Sequence, residues 1–250
     1  MGSLVQLVKE YQIVSTSQSS PTIVLVHGAF SDASIWQKVI VDLLRREYRV
    51  VGVALPMRGL ISDAAYLNSI LTKIDSPIIL VGHSYGGSVI SFPFTERAKI
   101  HALVYVAAFL PDAGESAGQL NNLFPGTRLT PESLNIWDTP SGQDVYLKSE
   151  HFEGVYAADL DETTVLLMAA AQRPVAVAAL SETFSGEPLW KSVPSWALVA
   201  TQDVSIPTET LRYMARRANS RVVEVDSSHA VPASRPADVV RIILAASGAR

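Results

Sequence analysis

The hexapeptide Gly82-His83-Ser84-Tyr85-Gly86-Gly87 carries the sharpest chemical signal in the chain. It directly follows the apolar run Pro77–Val81 and directly precedes a helical run. That is the setting of a G-x-S-x-G turn, which thrusts a nucleophilic hydroxyl out at the carboxyl end of a strand. Ser84 is the expected nucleophile. Side chains at Gly82 and Gly86 would strike the neighbouring strand and helix, so only glycine fits there. A serine hydroxyl needs a base to take its proton. Among five histidines, His83 lies inside the turn and cannot fold back onto its neighbour. His27 belongs to the His27-Gly28 turn, His101 begins a strand, and His151 sits in a helical region. His229, on the polar loop Asp226-Ser227-Ser228-His229 after the last apolar run, is the expected base.

The base in turn needs an acid that fixes its tautomer and stabilises the imidazolium. Asp203 follows the run Trp196–Ala200 and completes the order Ser…Asp…His. Asp112, after the run Ala102–Ala107, is its rival. Asp226 is too close in sequence to His229 and reads as a turn residue. Acyl transfer also needs donors aimed at the developing oxyanion, each worth roughly 10²–10³ in rate. The Tyr85 amide is one. The other is expected from His27-Gly28-Ala29-Phe30, where the Ala29 amide is favoured and that of Phe30 is second choice.

These groups must be held by a sheet. Six short runs rich in Val, Ile and Leu are bounded by turn residues: Thr22–Val26, Arg49–Ala54, Pro77–Val81, Ala102–Ala107, Trp196–Ala200 and Arg221–Val225. Near-continuous apolar runs suit strands buried on both faces of a parallel sheet. Between them, Ile35, Val39, Ile40, Leu43 and Leu44 form one helical stripe. Ala64, Leu67, Ile70, Leu71 and Ile74 form another, opened by Ser62 or Asp63 as N-cap. Two more helices are expected to start near Pro207 and Pro236. The alternation predicts an α/β fold, a doubly wound and mostly parallel sheet.

From Pro111 to Trp190 no strong strand is evident, and Asp159–Gln172 and Pro174–Glu182 read as helices. This stretch holds 12 acidic against 3 basic residues, net −9, whereas residues 1–110 carry +2 and residues 191–250 carry +3. It is expected to be a helical cap, residues 111–190, inserted after the sixth strand. Residues 1–110 and 191–250 then make the core.

Composition narrows the chemistry. The chain has 250 residues, 48% hydrophobic and 18% charged, enough for a sizeable core and unlike a disordered chain. The absence of cysteine removes thiolate nucleophiles, iron–sulfur clusters and Cys-ligated zinc. The remaining histidines lack ligand-like spacing, so no metal is expected. No glycine-rich loop has phosphate-binding spacing, so no nucleotide cofactor is expected either. A net charge of −4 argues against nucleic acid. The N-terminal MGSLVQLVKEYQIV lacks the pattern of a secretory leader, and Gln6 breaks the myristoylation pattern. With no apolar stretch long enough for a membrane span, a cytoplasmic protein is expected.

In order along the chain, VLVHGAF, VGHSYGG, TQDVSIP and SSHAVP resemble the motifs of the α/β-hydrolase superfamily. More narrowly, the chain resembles small esterases of the plant methylesterase and hydroxynitrile lyase group, in which an FLPD-like segment, here Phe109-Leu110-Pro111-Asp112, leads into a helical cap. The resemblance spans roughly residues 20–245. It implies Ser84, Asp203 and His229 as a triad, and a substrate held under the cap against Phe30 and Trp137. Two departures bear on the reaction. Lyases of this type carry threonine where Gly28 stands and lysine just after the catalytic histidine, where this chain has Ala230. The loop Leu55-Pro56-Met57-Arg58-Gly59 also replaces a commoner turn and leaves the role of Arg58 open. The expected activity is cofactor-independent hydrolysis of a small or medium carboxylic ester. Lactone, thioester or amide cleavage, cofactor-free lyase chemistry, and ligand reception with little turnover remain the alternatives.

Overall fold

The computed structural model describes residues 20–248. The leader and myristoylation readings lie outside the described residues.

All six apolar runs form strands of one parallel sheet: β1 (Thr22–Val26), β2 (Arg49–Val53), β3 (Ile78–His83), β4 (Ile100–Val106) and, after a long insert, two more. The insert contributes its own small antiparallel sheet of β5 (Leu134–Thr139), β6 (Gly142–Leu147) and β7 (Val175–Ala176). The main sheet resumes with β8 (Ser195–Ala200) and β9 (Arg221–Val225). Its strand order is β2-β1-β3-β4-β8-β9. Every residue of β1, β3 and β8 is buried, as expected for strands covered by helices on both faces. Among the described residues, β2 and β9 are the edges. Val222 and Val223 of β9 are therefore largely exposed, unlike the two-sided burial expected for all six runs.

The helices follow the sequence stripes closely. Gln37–Arg45 buries Val39 and Leu43, and Leu60–Leu71 buries Ala64, Leu67 and Leu71. Thr208–Arg217 and Pro236–Ser247 start where the prolines set the backbone. One end differs. Gly59, not Ser62 or Asp63, is the N-cap of Leu60–Leu71. Asp63 lies one turn inside, fully buried, where its carboxylate accepts from the Arg58 amide and the Tyr85 hydroxyl.

Strand order explains where a site can form. From β1 the chain steps to the β2 edge, and β3 then returns to the opposite side of β1. The loops leaving β1 and β3 thus diverge and open a crevice at the carboxyl edge. Val26 pairs with Gly82, which sets His27-Gly28 beside His83-Ser84.

The insert leaves the sheet after β4, the fourth strand among the described residues. The last two apolar runs lie beyond it. The insert is not wholly helical: helices Ala117–Asn121, Ser149–Tyr156, Glu162–Ala171 and Val177–Ser181 accompany the β5–β6 hairpin. Five of the six β5 residues are polar or turned to solvent, so this strand lacks the apolar run that marks a buried one. The insert is tied to the core from several sides. The Ala176 amide donates to the Met57 carbonyl, that of Arg128 to Val204, and that of Ala230 to Tyr156. Arg58 pairs with Asp144 of β6 at 2.5 Å and donates to the Ser141 carbonyl, which gives it an anchoring place between loop and insert. No helix among the described residues is long and apolar enough to cross a membrane.

Candidate active site

Ser84 occupies the turn between β3 and helix Tyr85–Ile90 with φ of 53° and ψ of −124°. A non-glycine residue rarely adopts this conformation, so the surroundings must enforce it. Its amide donates to the Val106 carbonyl, and its carbonyl accepts from the Gly87 and Phe109 amides. The helix can follow so tightly because a Cβ on Gly86 would stand 2.5 Å from the Val26 carbonyl oxygen, and one on Gly82 2.7 Å from that of Gly86. Both glycines meet the clashes expected of them.

The loop after β1 presses on the same residue. A Cβ on Gly28 would lie 2.4 Å from the Ser84 Cβ and 3.0 Å from its Oγ. Only a bare backbone can approach so closely. The amides that follow, of Ala29 and Phe30, and the amide of Tyr85 donate to no acceptor among the described residues. Three N–H groups are therefore available around one buried hydroxyl.

His229 and Asp203 meet from the far strands. The His229 Nδ1 lies 2.6 Å from the Asp203 Oδ2, with both residues almost fully buried. Asp203 Oδ1 accepts from the Ser205 and Ile206 amides, which fixes the carboxylate plane. A carboxylate accepts only, so Nδ1 carries the proton and Nε2 is left with a lone pair. The rival acids are elsewhere: Asp112 pairs with Lys191 at 2.6 Å, and Asp226 is exposed.

Two supporting histidines escaped the sequence reading, because burial alone gives them roles. His83 Nε2 lies 2.9 Å from the His229 carbonyl. A carbonyl accepts only, so the proton sits on Nε2. His27 Nε2 accepts from the Leu55 amide, and its Nδ1 donates to the Gly28 carbonyl. Burial pushes both imidazoles below the usual histidine range, His83 well below, where a charged His229 would depress it further. Burial also pushes Asp63 up and Tyr85 well up, and the Tyr85 phenol bonds Asp63 at 2.9 Å.

The insert steadies the His229 loop. Asp159 accepts from the hydroxyls of Ser227 and Ser228 and from the Ser228 amide. Its desolvation would raise the carboxyl, but the bonds from Ser228, Ser234 and Ser227 outweigh it and hold Asp159 below the usual range.

Ser84 and His229 line one cavity of about 150 Å³ with Ala29, Phe30 and Tyr85. Phe109, Leu129, Leu134, Leu180 and Ile206 make most of the remaining wall, with Asn121 and Tyr156 among them. None of the lining residues is a lysine, arginine or carboxylate. Phe30 is at the cavity, as the resemblance implied. Trp137 is not: it is 54% exposed on the β5–β6 hairpin, its ring 4.2 Å from that of Tyr146. The inward place belongs to Tyr156, whose ring stands 4.9 Å from His229. No cluster of potential metal ligands occurs among the described residues.

The sequence profile of the alpha/beta hydrolase family matches residues 23–242. Methylesterase 1 of Arabidopsis thaliana is 30% identical over 217 residues, which cover 76% of this chain and 81% of that protein. The alpha-hydroxynitrile lyase of the same plant is 28% identical, over 85% of this chain and 92% of its own. Among solved structures, polyneuridine aldehyde esterase superposes with a TM-score of 0.78 at 22% identity, covering 92% of this chain and all of the other. The last likeness is one of fold.

Proposed function

The chain belongs to the alpha/beta hydrolase family, and from that premise we propose that it is a serine hydrolase cleaving a small carboxylic ester through an acyl-enzyme on Ser84. The observation that carries the reading is the 2.6 Å contact between His229 and Asp203, with the imidazole and Ser84 on one cavity wall. His229 Nε2 takes the Ser84 proton as Oγ attacks the ester carbonyl. The Ala29 and Tyr85 amides receive the developing oxyanion. The imidazolium, steadied by Asp203, then gives its proton to the leaving alcohol. Water enters, His229 activates it, and the acid is released. An uncharged lining favours a neutral ester. The esterase names among the relatives support the same class. Cyanohydrin cleavage, the reaction of the lyase relative's name, finds less support: Ala230 is fully buried, and no cation lines the cavity to meet a departing anion.

The test is hydrolysis of p-nitrophenyl acetate and butyrate by wild type and Ser84→Ala, with intact mass after fluorophosphonate treatment. Wild-type turnover, a loss of about 10³-fold or more in Ser84→Ala, and one adduct at Ser84 are expected. Equal rates in the two proteins, or no adduct, would overturn the reading.

A further inference from the structure

The cavity wall contains a polar residue that the hydrolytic chemistry does not use. Asn121 closes the short helix Ala117–Asn121, is 8% exposed, and lines the cavity that holds Ser84 and His229. Its amide orientation is set by Thr127. The Thr127 hydroxyl has one proton, which goes to the Ser205 carbonyl at 2.9 Å. Its oxygen accepts from the Leu129 amide at 3.2 Å and from Asn121 Nδ2 at 2.9 Å. One donation and two acceptances exhaust a hydroxyl. Turning the Asn121 amide over would set its carbonyl against an oxygen with no proton left to give. Asn121 must therefore keep its NH₂ on Thr127, and Oδ1 is left buried with no donor among the described residues.

A buried acceptor without a donor is uncommon and calls for a reason. No wall group meets it: Phe109, Leu129, Leu134, Leu180 and Ile206 are apolar, Asn122 Nδ2 donates to the Gly118 carbonyl, and the Tyr156 hydroxyl makes no bond to it. The Ser205 hydroxyl gives its proton to the Val155 carbonyl. We propose that Asn121 Oδ1 is a specificity determinant that receives a hydrogen bond from an O–H or N–H group of the substrate. The preferred substrate is then a small ester bearing a hydroxyl or amide donor, not a plain alkyl ester. The cavity limits its size, since one of about 150 Å³ holds roughly a benzene ring. This assignment rests on the hydrolase reading above.

The test compares matched ester pairs that differ only in a donor. The p-nitrophenyl esters of β-hydroxybutyric and isovaleric acid probe the acyl side, and hydroxyethyl and propyl butyrate probe the alcohol side. The wild type should favour the hydroxylated member of at least one pair by roughly 10- to 100-fold in kcat/KM. In Asn121→Leu that ratio should collapse to near one. The wild-type ratio decides even where the variant fails to fold. Equal rates within both pairs, with Ser84 still labelled by a fluorophosphonate, overturn the role of Asn121 and leave the hydrolase intact. So does a preference that survives in Asn121→Leu. No turnover of any ester and no label at Ser84 overturn both.

Discussion

His83 Nε2 lies 2.9 Å from the main-chain carbonyl of His229, so the residue preceding Ser84 holds the residue that bears the imidazole. Two loops from different strands are thereby coupled through a neutral, buried ring. Protonating His83 would require a charge where its Nδ1 has no partner. Ser84 and His229 are thus tied together through a side chain at a variable position of the G-x-S-x-G turn.

Stability should depend on pH through His83 and His27. Burial holds both folded-state values below 6.5, whereas the unfolded chain titrates near it. Below that pH the unfolded state binds more protons than the folded one. Stability is therefore fully present above about pH 7 and declines as pH falls through the unfolded value toward the depressed folded ones. Each histidine contributes a slope of up to about 1.4 kcal/mol per pH unit. Urea unfolding between about pH 7.5 and 5.5 measures it. His83→Gln, though less stable throughout, should show a shallower slope by about one proton; an unchanged slope would mean that His83 does not supply it.

Gly28→Ala should damage turnover more than binding. The added Cβ would stand 2.4 Å from the Ser84 Cβ, so the loop must retreat and carry the Ala29 amide with it. A misplaced oxyanion donor costs roughly 10²–10³ in kcat with little change in KM. Steady-state kinetics on p-nitrophenyl butyrate separate the two. A variant with wild-type kcat would mean that the Ala29 amide receives no charge.

Much of this was legible in the residues. Buried parallel strands must be apolar along their whole length, so β1, β3, β4 and β8 announce themselves, and the loops at their carboxyl ends narrow the search for chemistry. The His229–Asp203 contact could be read from chain order and strand ends alone. The β5–β6 hairpin could not, because its strands are half-exposed and mix Asn, Asp and Gln with their apolar residues. The turn Pro140-Ser141-Gly142 was the available signal. Trp137 was misplaced for the same reason: on a two-faced strand, one step in register decides inward or outward. Asn121, Tyr156 and Asp159 have no local signature. Their places follow from how the insert folds onto the sheet.

Asp159→Ala should loosen the His229 loop. The carboxylate, on the rim of the insert, gathers Ser227 and Ser228 by three hydrogen bonds. Its partial exposure lets water compensate in part, so a fall in kcat of about tenfold, with KM nearly constant, is expected. Asp159→Asn keeps one acceptor and should recover part of the loss. Because its folded value lies below the usual carboxylate range, the clamp stays intact as pH falls until that low value is passed. The deficit of Asp159→Ala should thus be constant between about pH 5.5 and 8. A deficit that vanishes within this window would place the clamp's titration there instead.

Arg58 and Asp144 join the loop after β2 to the insert, and their exposures differ: the Arg58 side chain is 30% accessible and that of Asp144 9%. Removing the arginine strands a carboxylate that cannot readily reach water, whereas removing the aspartate leaves a guanidinium that can turn outward. Arg58→Met should therefore cost about 1–3 kcal/mol in urea unfolding, and Asp144→Leu less. The double variant should recover most of the stability, because the desolvation of both charges disappears with their attraction. The pair lies outside the Ser84 cavity, so kcat should change less than stability does. Additive losses in the double variant would mean that the ion pair contributes through packing of the Arg58 stem, not through its charge.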